Sequence, residues 1–514
     1  MRSATNRNFA ICFLVCVRFS SGLGFADKPN ENSVERGSLP NIVILYADDL
    51  GYGDLGCMNP DSKIPAPSLD QLARDGIRFT DAHSSSGVCT PSRYALLTGR
   101  YHWRAFHDIV DSFGSERIKA EQLTLPEMLK GKGYRTACVG KWHLGWDWDA
   151  IKRPGAKPDP KNGYAPDDFD WNKPIPDGPL DHGFDYYFGD DVPNFPPYAW
   201  IENNRVVVAP TEPLTETPKT AEGNWEARPG PMVPDWKLDA VVPTITEKAI
   251  AWLENNAESA EPLFLYFPLT SPHAPIVPTD EYLGKSAAGG YGDFVVQTDA
   301  ACGAVLDCIK RLGLEDNTLV IFSSDNGPEV YCYERLKKFG HRSMGPLRGI
   351  KRDVWEGGHR VPMIVKWPGT VPAGKTCERL VTQTDLFATI AEAIGSSLDD
   401  AQAEDSISQL PLLHDPDGNA IRKWTIHNTN KNRYALRDGD FLFLDGPDGD
   451  ARKAPEWFAN QEGWDKTEQP YALFNLADDL GQKKNLYAAN QERAQEMQQR
   501  LSELLQRPGD VRQK

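Results

Sequence analysis

Short apolar runs alternate with segments of helical periodicity along most of the chain. Runs rich in β-branched and aromatic residues predict strands at 41–47, 135–139, 263–267, 318–323 and 361–365. Between these runs, apolar residues near helical spacing predict helices at 68–74, 124–131, 243–253, 291–312 and 385–394. Such alternation is typical of an α/β fold, here a mostly parallel sheet with helices on both faces. Ligands of such sheets bind beyond the carboxyl ends of the strands.

Two stretches, 146–179 and 190–235, interrupt this order. Both are rich in Pro, Asp, Trp and Gly and have no clear periodicity, so we expect long surface loops there. Loops of this kind beside an α/β site often select the substrate. Poorly ordered insertions are the alternative interpretation.

The pattern changes again after about residue 415. Short strand candidates at 433–436, 441–444 and 471–476 precede a polar helical segment at 490–506. We therefore predict a large domain over 40–414 and, over 415–514, a C-terminal α+β subdomain with a small antiparallel sheet and a helix.

The first residues have the composition of a secretory signal. Arg2 and Arg7 precede an apolar run at 9–17, and small residues follow as far as Ala26. A cleavable signal peptide over 1–26 is predicted, because nine apolar residues cannot span a bilayer. No later segment reaches about 18 apolar residues, so we expect no stable membrane insertion. The mature protein is expected in the periplasm, outside the cell or in a lysosome-like lumen.

Charge and cysteine content narrow the classes of partner. The 514 residues include 56 Lys and Arg against 73 Asp and Glu, a formal net charge of −17, which argues against a nucleic acid partner. A polyanionic substrate would require a local basic pocket. Outside the signal and residue 89, six cysteines are spaced like neither a zinc site nor a small disulfide scaffold, and their pairing stays open: Cys57, Cys138, Cys302, Cys308, Cys332 and Cys377.

Carboxylates directly follow two of the predicted strands. Asp48 and Asp49 come after 41–47, and Asp325 and Asn326 come after 318–323. Either pair alone is accounted for by turn formation. Together, at the ends of strands of one sheet, their hard oxygen atoms suit Ca²⁺ or Mg²⁺, and the lack of a nearby His/Cys cluster argues against zinc.

The segment Cys89-Thr90-Pro91-Ser92-Arg93 begins a further predicted helix. Pro91 suits the first turn, so residue 89 lies at a helix N-terminus, where backbone N–H groups and the helix dipole favour an anion. Arg93 can add a bidentate contact to an oxyanion. For Cys89 alone, a small buried apolar residue or a disulfide partner is an equally good interpretation.

This pentapeptide, followed by Leu96-Leu97-Thr98-Gly99-Arg100, resembles the signature of the formylglycine-dependent sulfatase family, within the alkaline phosphatase superfamily. The resemblance extends from about residue 41 to about residue 486 and is greatest to the arylsulfatase A and N-acetylgalactosamine-6-sulfatase group. It implies an alkaline-phosphatase-like fold. It also implies that a formylglycine-generating enzyme oxidises Cys89 to an aldehyde whose hydrate attacks a sulfate ester. The resemblance further implies one divalent cation, usually Ca²⁺, bound by Asp48, Asp49, Asp325 and Asn326.

Further motifs extend the resemblance along the chain. Lys141 and His143 lie in Gly140-Lys141-Trp142-His143, similar to the family motif whose lysine and histidine contact the formylglycine and the sulfate. His273, within Ser271-Pro272-His273-Ala274-Pro275, becomes a candidate general acid, with a lysine as the alternative. Lys351 corresponds to the last active-site lysine. After it, Arg352-Asp353-Val354 departs from the small residues expected there, which leaves the local pocket shape open.

The resemblance therefore predicts a sulfuric ester hydrolase acting on a sulfated carbohydrate or an aryl sulfate. Export and long aromatic-rich loops favour a carbohydrate. Two alternatives stay open. One is a phosphoester or phosphonate hydrolase of the same superfamily, and the other is an inactive relative that only binds sulfated glycans.

Overall fold

The computed structural model describes residues 39–214, 220–223, 226–464 and 468–507. The predicted signal peptide at 1–26 lies outside these residues. In chain order, the described strands are β1 (Asn41–Ala47), β2 (Ile77–Phe79), β3 (Ala82–His83), β4 (Arg135–Val139), β5 (Tyr186–Gly189), β6 (Ile201–Glu202), β7 (Arg205–Val206), β8 (Glu212–Leu214), β9 (Gly230–Met232), β10 (Leu263–Pro268), β11 (Thr318–Ser324), β12 (Met363–Lys366), β13 (Lys375–Cys377), β14 (Val381–Thr382), β15 (Trp424–Asn428), β16 (Tyr434–Asp438), β17 (Phe441–Leu444) and β18 (Ala472–Asn475).

The α-helices of the same residues include all the predicted ones. They are α1 (Pro67–Asp75), α2 (Cys89–Thr98), α3 (Leu125–Gly131), α4 (Val241–Asn256), α5 (Gly289–Arg311), α6 (Cys332–Phe339), α7 (Glu356–His359), α8 (Leu386–Ala393), α9 (Leu410–His414), α10 (Glu456–Glu462) and α11 (Gln491–Gln506). None of these helices has the length and apolar content needed to cross a membrane.

The main sheet has ten strands in the order β13-β2-β12-β11-β1-β10-β4-β5-β6-β7. Its centre, from β11 to β5, is parallel. On one side β12 pairs antiparallel with β11, and β2 antiparallel with β12. On the other side β6 pairs antiparallel with β5, and β7 antiparallel with β6. The predicted α/β class, with a large mixed and mostly parallel sheet, is confirmed. The carboxyl ends of β1, β4, β5, β10 and β11 consequently meet at one edge of the sheet.

Alternation along β1 assigns its side chains to two cores. Ile42, Ile44 and Tyr46 pack on one face of the sheet with α2, α3 and α8. Val43 and Leu45 pack on the other face with α1, α4 and α5. Successive side chains of a strand point to opposite faces, so the continuous apolar run of β1 contributes to both layers.

The prediction of surface loops at 146–179 and 190–235 was wrong in two respects. Trp146, Ile151 and Phe169 are buried in the core on the α2 face of the sheet. The second stretch supplies the edge strands β6 and β7 and the hairpin β8-β9. Each large aromatic side chain buries a large apolar surface. A few of them can therefore form part of a core even when they are irregularly spaced along the sequence.

A second, antiparallel sheet lies near the C-terminus. Its order is β15-β16-β17-β18, and β15 was not predicted from the sequence. Met497 and Leu501 of α11 pack with Ile426, Leu436 and Phe443 of this sheet. The predicted small sheet with a helix is therefore present in the structure.

Every cysteine in the described part of the chain is a free thiol. Most of them are buried, as expected for small apolar side chains.

Candidate active site

Cys89 is the first residue of α2, the helix that begins beside the carboxyl end of β1. Val88 precedes it with extended backbone, and every residue of α2 is buried. The Cys89 side chain is only 3% exposed, and its Sγ lies 3.6 Å from Asp48 Oδ1. Burial raises the pKa of the thiol to about 12, although Lys141 and Lys351 oppose this. The unmodified thiol therefore stays protonated at neutral pH and is a poor nucleophile.

Three buried ion pairs surround this position. Lys141 Nζ lies 2.5 Å from Asp48 Oδ2, Lys351 Nζ lies 2.7 Å from Asp49 Oδ1, and Arg93 Nη2 lies 2.8 Å from Asp325 Oδ2. Buried ion pairs add little net stability because both charges lose their hydration. A cluster of them at one sheet edge is therefore better explained by function.

The charges in this network shift one another's pKa values. Burial alone would raise the pKa of Asp48, but Lys141, His273 and Arg93 outweigh it and lower that pKa to about 2. Burial likewise disfavours the charged form of Lys351, but Asp49 raises its pKa above the ordinary value. Lys351 is thus a cation placed where a sulfate anion could be bound, and Lys141 lies at the same place in its ion pair with Asp48.

The four predicted metal ligands interlock. The backbone N–H of Asp49 donates to Asp325 Oδ1 over 3.1 Å, and Asn326 Nδ2 donates to Asp49 Oδ1 over 2.7 Å. Burial and the nearby Asp48 carboxylate raise the pKa of Asp325. Within the described residues, the buried Asn326 Oδ1 has no hydrogen-bond partner. Repelling carboxylates beside a free amide oxygen are donors that fit a hard divalent cation.

The two predicted histidines flank the network. His273, after β10, places its Nε2 3.7 Å from Asp49 Oδ2, while its Nδ1 contacts the carbonyl of Ala274. His143 follows Lys141, and its Nε2 lies 3.0 Å from the carbonyl oxygen of Val110. Burial, followed by the charges of Lys141 and Arg93, holds the pKa of His143 well below its ordinary value. His143 is therefore a neutral imidazole at this edge.

The structure thus brings all ten predicted residues to one sheet edge. Contacts through Asp48, Asp49 and Asp325 connect every member except His143. His143 is attached through its backbone carbonyl, which accepts a hydrogen bond from Thr90 Oγ1 over 3.0 Å. The site thus combines a helix N-terminus, three buried cations and a set of oxygen donors around residue 89.

Sequence reasoning missed two groups of carboxylates at the same edge. Asp191, after β5, accepts a hydrogen bond from the His143 N–H over 3.1 Å, and burial raises its pKa to about 6. Glu329 lies 3.9 Å from Lys351, and despite burial that lysine and Arg352 lower its pKa to about 2. Asp190-Asp191 follows a strand just as Asp48-Asp49 does, a signal that could have identified the first group.

Comparison with known proteins places this geometry in a family. The Sulfatase family model matches residues 40–396. An N-acetylgalactosamine-6-O-sulfatase of Bacteroides thetaiotaomicron is 32% identical over 94% of this chain and 96% of its own. Bovine arylsulfatase A is 30% identical over 91% of this chain and 87% of its own.

Solved structures agree on the fold. A B. thetaiotaomicron chain, solved in the context of glycosaminoglycan metabolism, covers 91% of this chain and all of its own with a TM-score of 0.75 and 29% identity. A phosphonate monoester hydrolase of Agrobacterium radiobacter shares the fold at 16% identity, with a TM-score of 0.57 over 90% of this chain and 95% of its own. The extent of the family match and the similarity to named sulfatases show that the chain belongs to the sulfatase family and is a sulfuric ester hydrolase.

Proposed function

We propose that this enzyme removes sulfate from a sulfated carbohydrate, with Cys89 matured to formylglycine as its nucleophile. The observation that carries the proposal is the position of Cys89. It begins a buried helix, and its Sγ lies 3.6 Å from Asp48 inside a network of three cation–carboxylate pairs. The three cations can bind an anionic group, while the carboxylates paired with them are the proposed ligands of a divalent cation.

The environment of the thiol supports the modification. A thiol with its pKa raised to about 12 is not a thiolate at neutral pH, so it cannot attack sulfur efficiently. Oxidation by a formylglycine-generating enzyme would convert residue 89 to an aldehyde, and hydration would give two hydroxyl groups on one carbon.

The reaction then has two steps. One hydroxyl oxygen at residue 89 forms a bond to sulfur and passes its proton to a carboxylate of the network, such as Asp48, while the bond from sulfur to the departing alcohol oxygen breaks. His273 is placed to give the alcohol its proton. The second hydroxyl then passes its proton to His273, the carbonyl re-forms as the bond from carbon to the sulfate oxygen breaks, and water rehydrates the aldehyde. No water molecule needs to attack the sulfur.

Negative charge on the sulfate is stabilised by preorganised cationic side chains. Lys141, Lys351 and Arg93 are buried cations that need no reorientation as negative charge grows on the sulfate and the departing oxygen. A Ca²⁺ ion held by Asp48, Asp49, Asp325 and Asn326 would add Lewis acidity and stabilise the same charge. Calcium, not zinc, is proposed because all four residues offer hard oxygen atoms.

Carbohydrate is the proposed substrate class because of the relatives. The B. thetaiotaomicron relative is named for the 6-O-sulfate of N-acetylgalactosamine, and the solved chain that covers most of this one is associated with glycosaminoglycans. Export is proposed as well, from the predicted signal peptide at 1–26. The division into a catalytic domain at 40–414 and a C-terminal subdomain at 415–514 also remains our proposal.

The phosphonate hydrolase with the same fold supports one second candidate, hydrolysis of a phosphoester or phosphonate. Comparison of kcat/KM for an aryl sulfate and the phosphate of the same phenol separates the two. A higher value for the phosphate would replace our proposal with this candidate.

The decisive experiment combines mass spectrometry with a single substitution. In protein produced with a formylglycine-generating enzyme, the peptide containing residue 89 should have the mass of the aldehyde or its hydrate. Cys89→Ala should abolish sulfate release while the thermal transition and circular dichroism stay as in the parent. Turnover by that variant at the parental rate would falsify the assignment, and sugar binding without turnover by the matured enzyme would favour the binding-only alternative.

A further inference from the structure

Two arginines near residue 89 differ from the buried cations of the network. Arg93, Lys141 and Lys351 are buried and each pairs with a buried carboxylate. The side chains of Arg228 and Arg352, by contrast, are 45% and 32% exposed. Exposed guanidinium groups at an active site can reach parts of a substrate other than its reacting group.

Arg352 lies beside the nucleophile. Its backbone has φ of 75°, in the left-handed region, and its N–H donates to the carbonyl of Gly87 over 2.7 Å, two residues before Cys89. The guanidinium pairs with Glu329, which also lies 3.9 Å from Lys351. A left-handed backbone is costly for a residue with a β-carbon, so this placement is maintained by its surroundings.

Arg228 is connected to the site through His143. The ring of Phe195 stands perpendicular to the His143 ring at 5.5 Å, and the Arg228 guanidinium lies 3.8 Å from the centre of the Phe195 ring. Stacking on an aromatic ring orients a guanidinium and leaves its N–H groups directed outward. One aromatic ring therefore separates Arg228 from the histidine beside Lys141.

The charge of Arg228 is incompletely balanced. Its partner Asp111, at 3.4 Å, is 77% exposed, and such solvated pairs are weak. Burial lowers the pKa of Arg228, and the nearby Arg352 lowers it further. Two partly exposed guanidinium groups that lie close enough to repel each other form a site that favours a second anion.

We propose that Arg228 and Arg352 bind a second anionic group of the substrate, next to the sulfate that is cleaved. The substrate class is then a sulfated saccharide with a further sulfate or a uronate carboxylate, and not a neutral monosulfated sugar. This proposal rests on the proposed function. It explains how a chain with a net charge of −17 attracts a polyanion, because the attraction comes from a local pair of cations.

The kinetic test compares three substrates: a disulfated saccharide, a monosulfated disaccharide with a uronate, and the methyl ester of that uronate. The parent enzyme should have a higher kcat/KM for the disulfated saccharide or for the uronate disaccharide than for the methyl ester. The substrate with the highest kcat/KM identifies the second anion. In Arg228→Gln and Arg352→Gln the preference should fall about tenfold, since one charge-assisted hydrogen bond is lost. Arg311→Gln is the matched control, because Arg311 is exposed at the end of α5, pairs with Glu254, and gives the same change of charge.

A binding measurement keeps the test independent of turnover. In the Cys89→Ala background, calorimetry with the same three saccharides should show the same order of affinity, with the same loss on Arg228→Gln. Equal affinities for the charged and the esterified disaccharide would overturn the proposed anion site. Failure of every substrate, 4-nitrophenyl sulfate included, to release sulfate would instead count against the proposed function.

Discussion

At the scale of single residues, substrates with different leaving groups distinguish the general acid from residues that only stabilise the charge of the sulfate. His273 Nδ1 contacts the Ala274 carbonyl, which leaves Nε2 directed toward the network. His273→Gln should lower kcat/KM on a sugar sulfate about 10²–10⁴-fold, because a sugar alkoxide cannot leave without a proton. On 4-nitrophenyl sulfate, whose phenolate leaves readily, the loss should be about tenfold or less.

Lys351→Met is the matched comparison for this experiment. Lys351 is paired with Asp49 and stabilises sulfate charge for any leaving group. Its loss should reduce kcat/KM by about 10²–10³-fold on both substrates alike. Equal losses on the two substrates for His273→Gln would assign the proton to another group.

The residues of the site were predictable only where they lie in contiguous motifs. Asp48, Cys89, Lys141 and Lys351 each belong to a recognisable segment. The left-handed backbone of Asp49 and His143, with φ of 64° and 54°, was not predictable, because neighbours across the sheet impose it. Arg228 was missed for a similar reason. Its contacts with Phe195 and Asp111 join segments that are far apart in sequence, and no local pattern indicates them.

At the scale of elements, the end of α2 depends on a glycine. Gly99 follows this helix with φ of 65°, and a β-carbon there would lie 2.5 Å from Ala403 Cβ. Gly99→Ala should therefore lower the free energy of unfolding by about 2–4 kcal/mol, from backbone strain plus overpacking. The measurement is urea unfolding of the whole chain.

Gly395→Ala separates the two contributions. Gly395 follows α8 with nearly the same φ, 64°, but a β-carbon there would meet nothing within 4 Å. This variant should lose only the backbone part, about 1 kcal/mol. If both variants lose the same amount, packing against Ala403 has no role in fixing the end of α2.

The elements themselves were predicted unevenly. Strands β1 and β4 have the predicted bounds, because after its first residue each strand is buried on both faces and carries a nearly continuous signal. Strand β12 begins at Met363, two residues later than expected, since Pro362 cannot donate a ladder hydrogen bond. The short β2 was missed, as three residues contain too little pattern to identify a strand.

At the scale of the whole molecule, buried histidines limit stability in acid. Burial lowers the pKa of His102 to about 4 and holds those of His359 and His427 well below the ordinary value. The unfolded chain binds protons at these positions below about pH 6.5, whereas the folded protein does not. The free energy of unfolding should therefore decrease as the pH falls from about 6.5 to about 4.

Urea unfolding measured at intervals across that pH range checks this expectation. His102→Gln should reduce the total loss by an amount on the order of 3 kcal/mol, and the amide can still donate to Asn428 or Thr429 in place of His102 Nε2. His414→Gln, at an exposed position, is the control and should leave the slope unchanged. An unaltered slope in His102→Gln would place the acid sensitivity elsewhere.

The burial of α2 also implies that Cys89 is converted to formylglycine before the chain folds. With every residue of this helix inaccessible, another enzyme cannot close its own active site around Cys89 once the chain has folded. Folded thiol protein should therefore resist conversion by a formylglycine-generating enzyme, while an unfolded peptide spanning residues 80–100 should be converted, as mass spectrometry would show. Cys89 is then converted only between synthesis and folding of the chain. A molecule that folds with an unconverted thiol stays catalytically inactive.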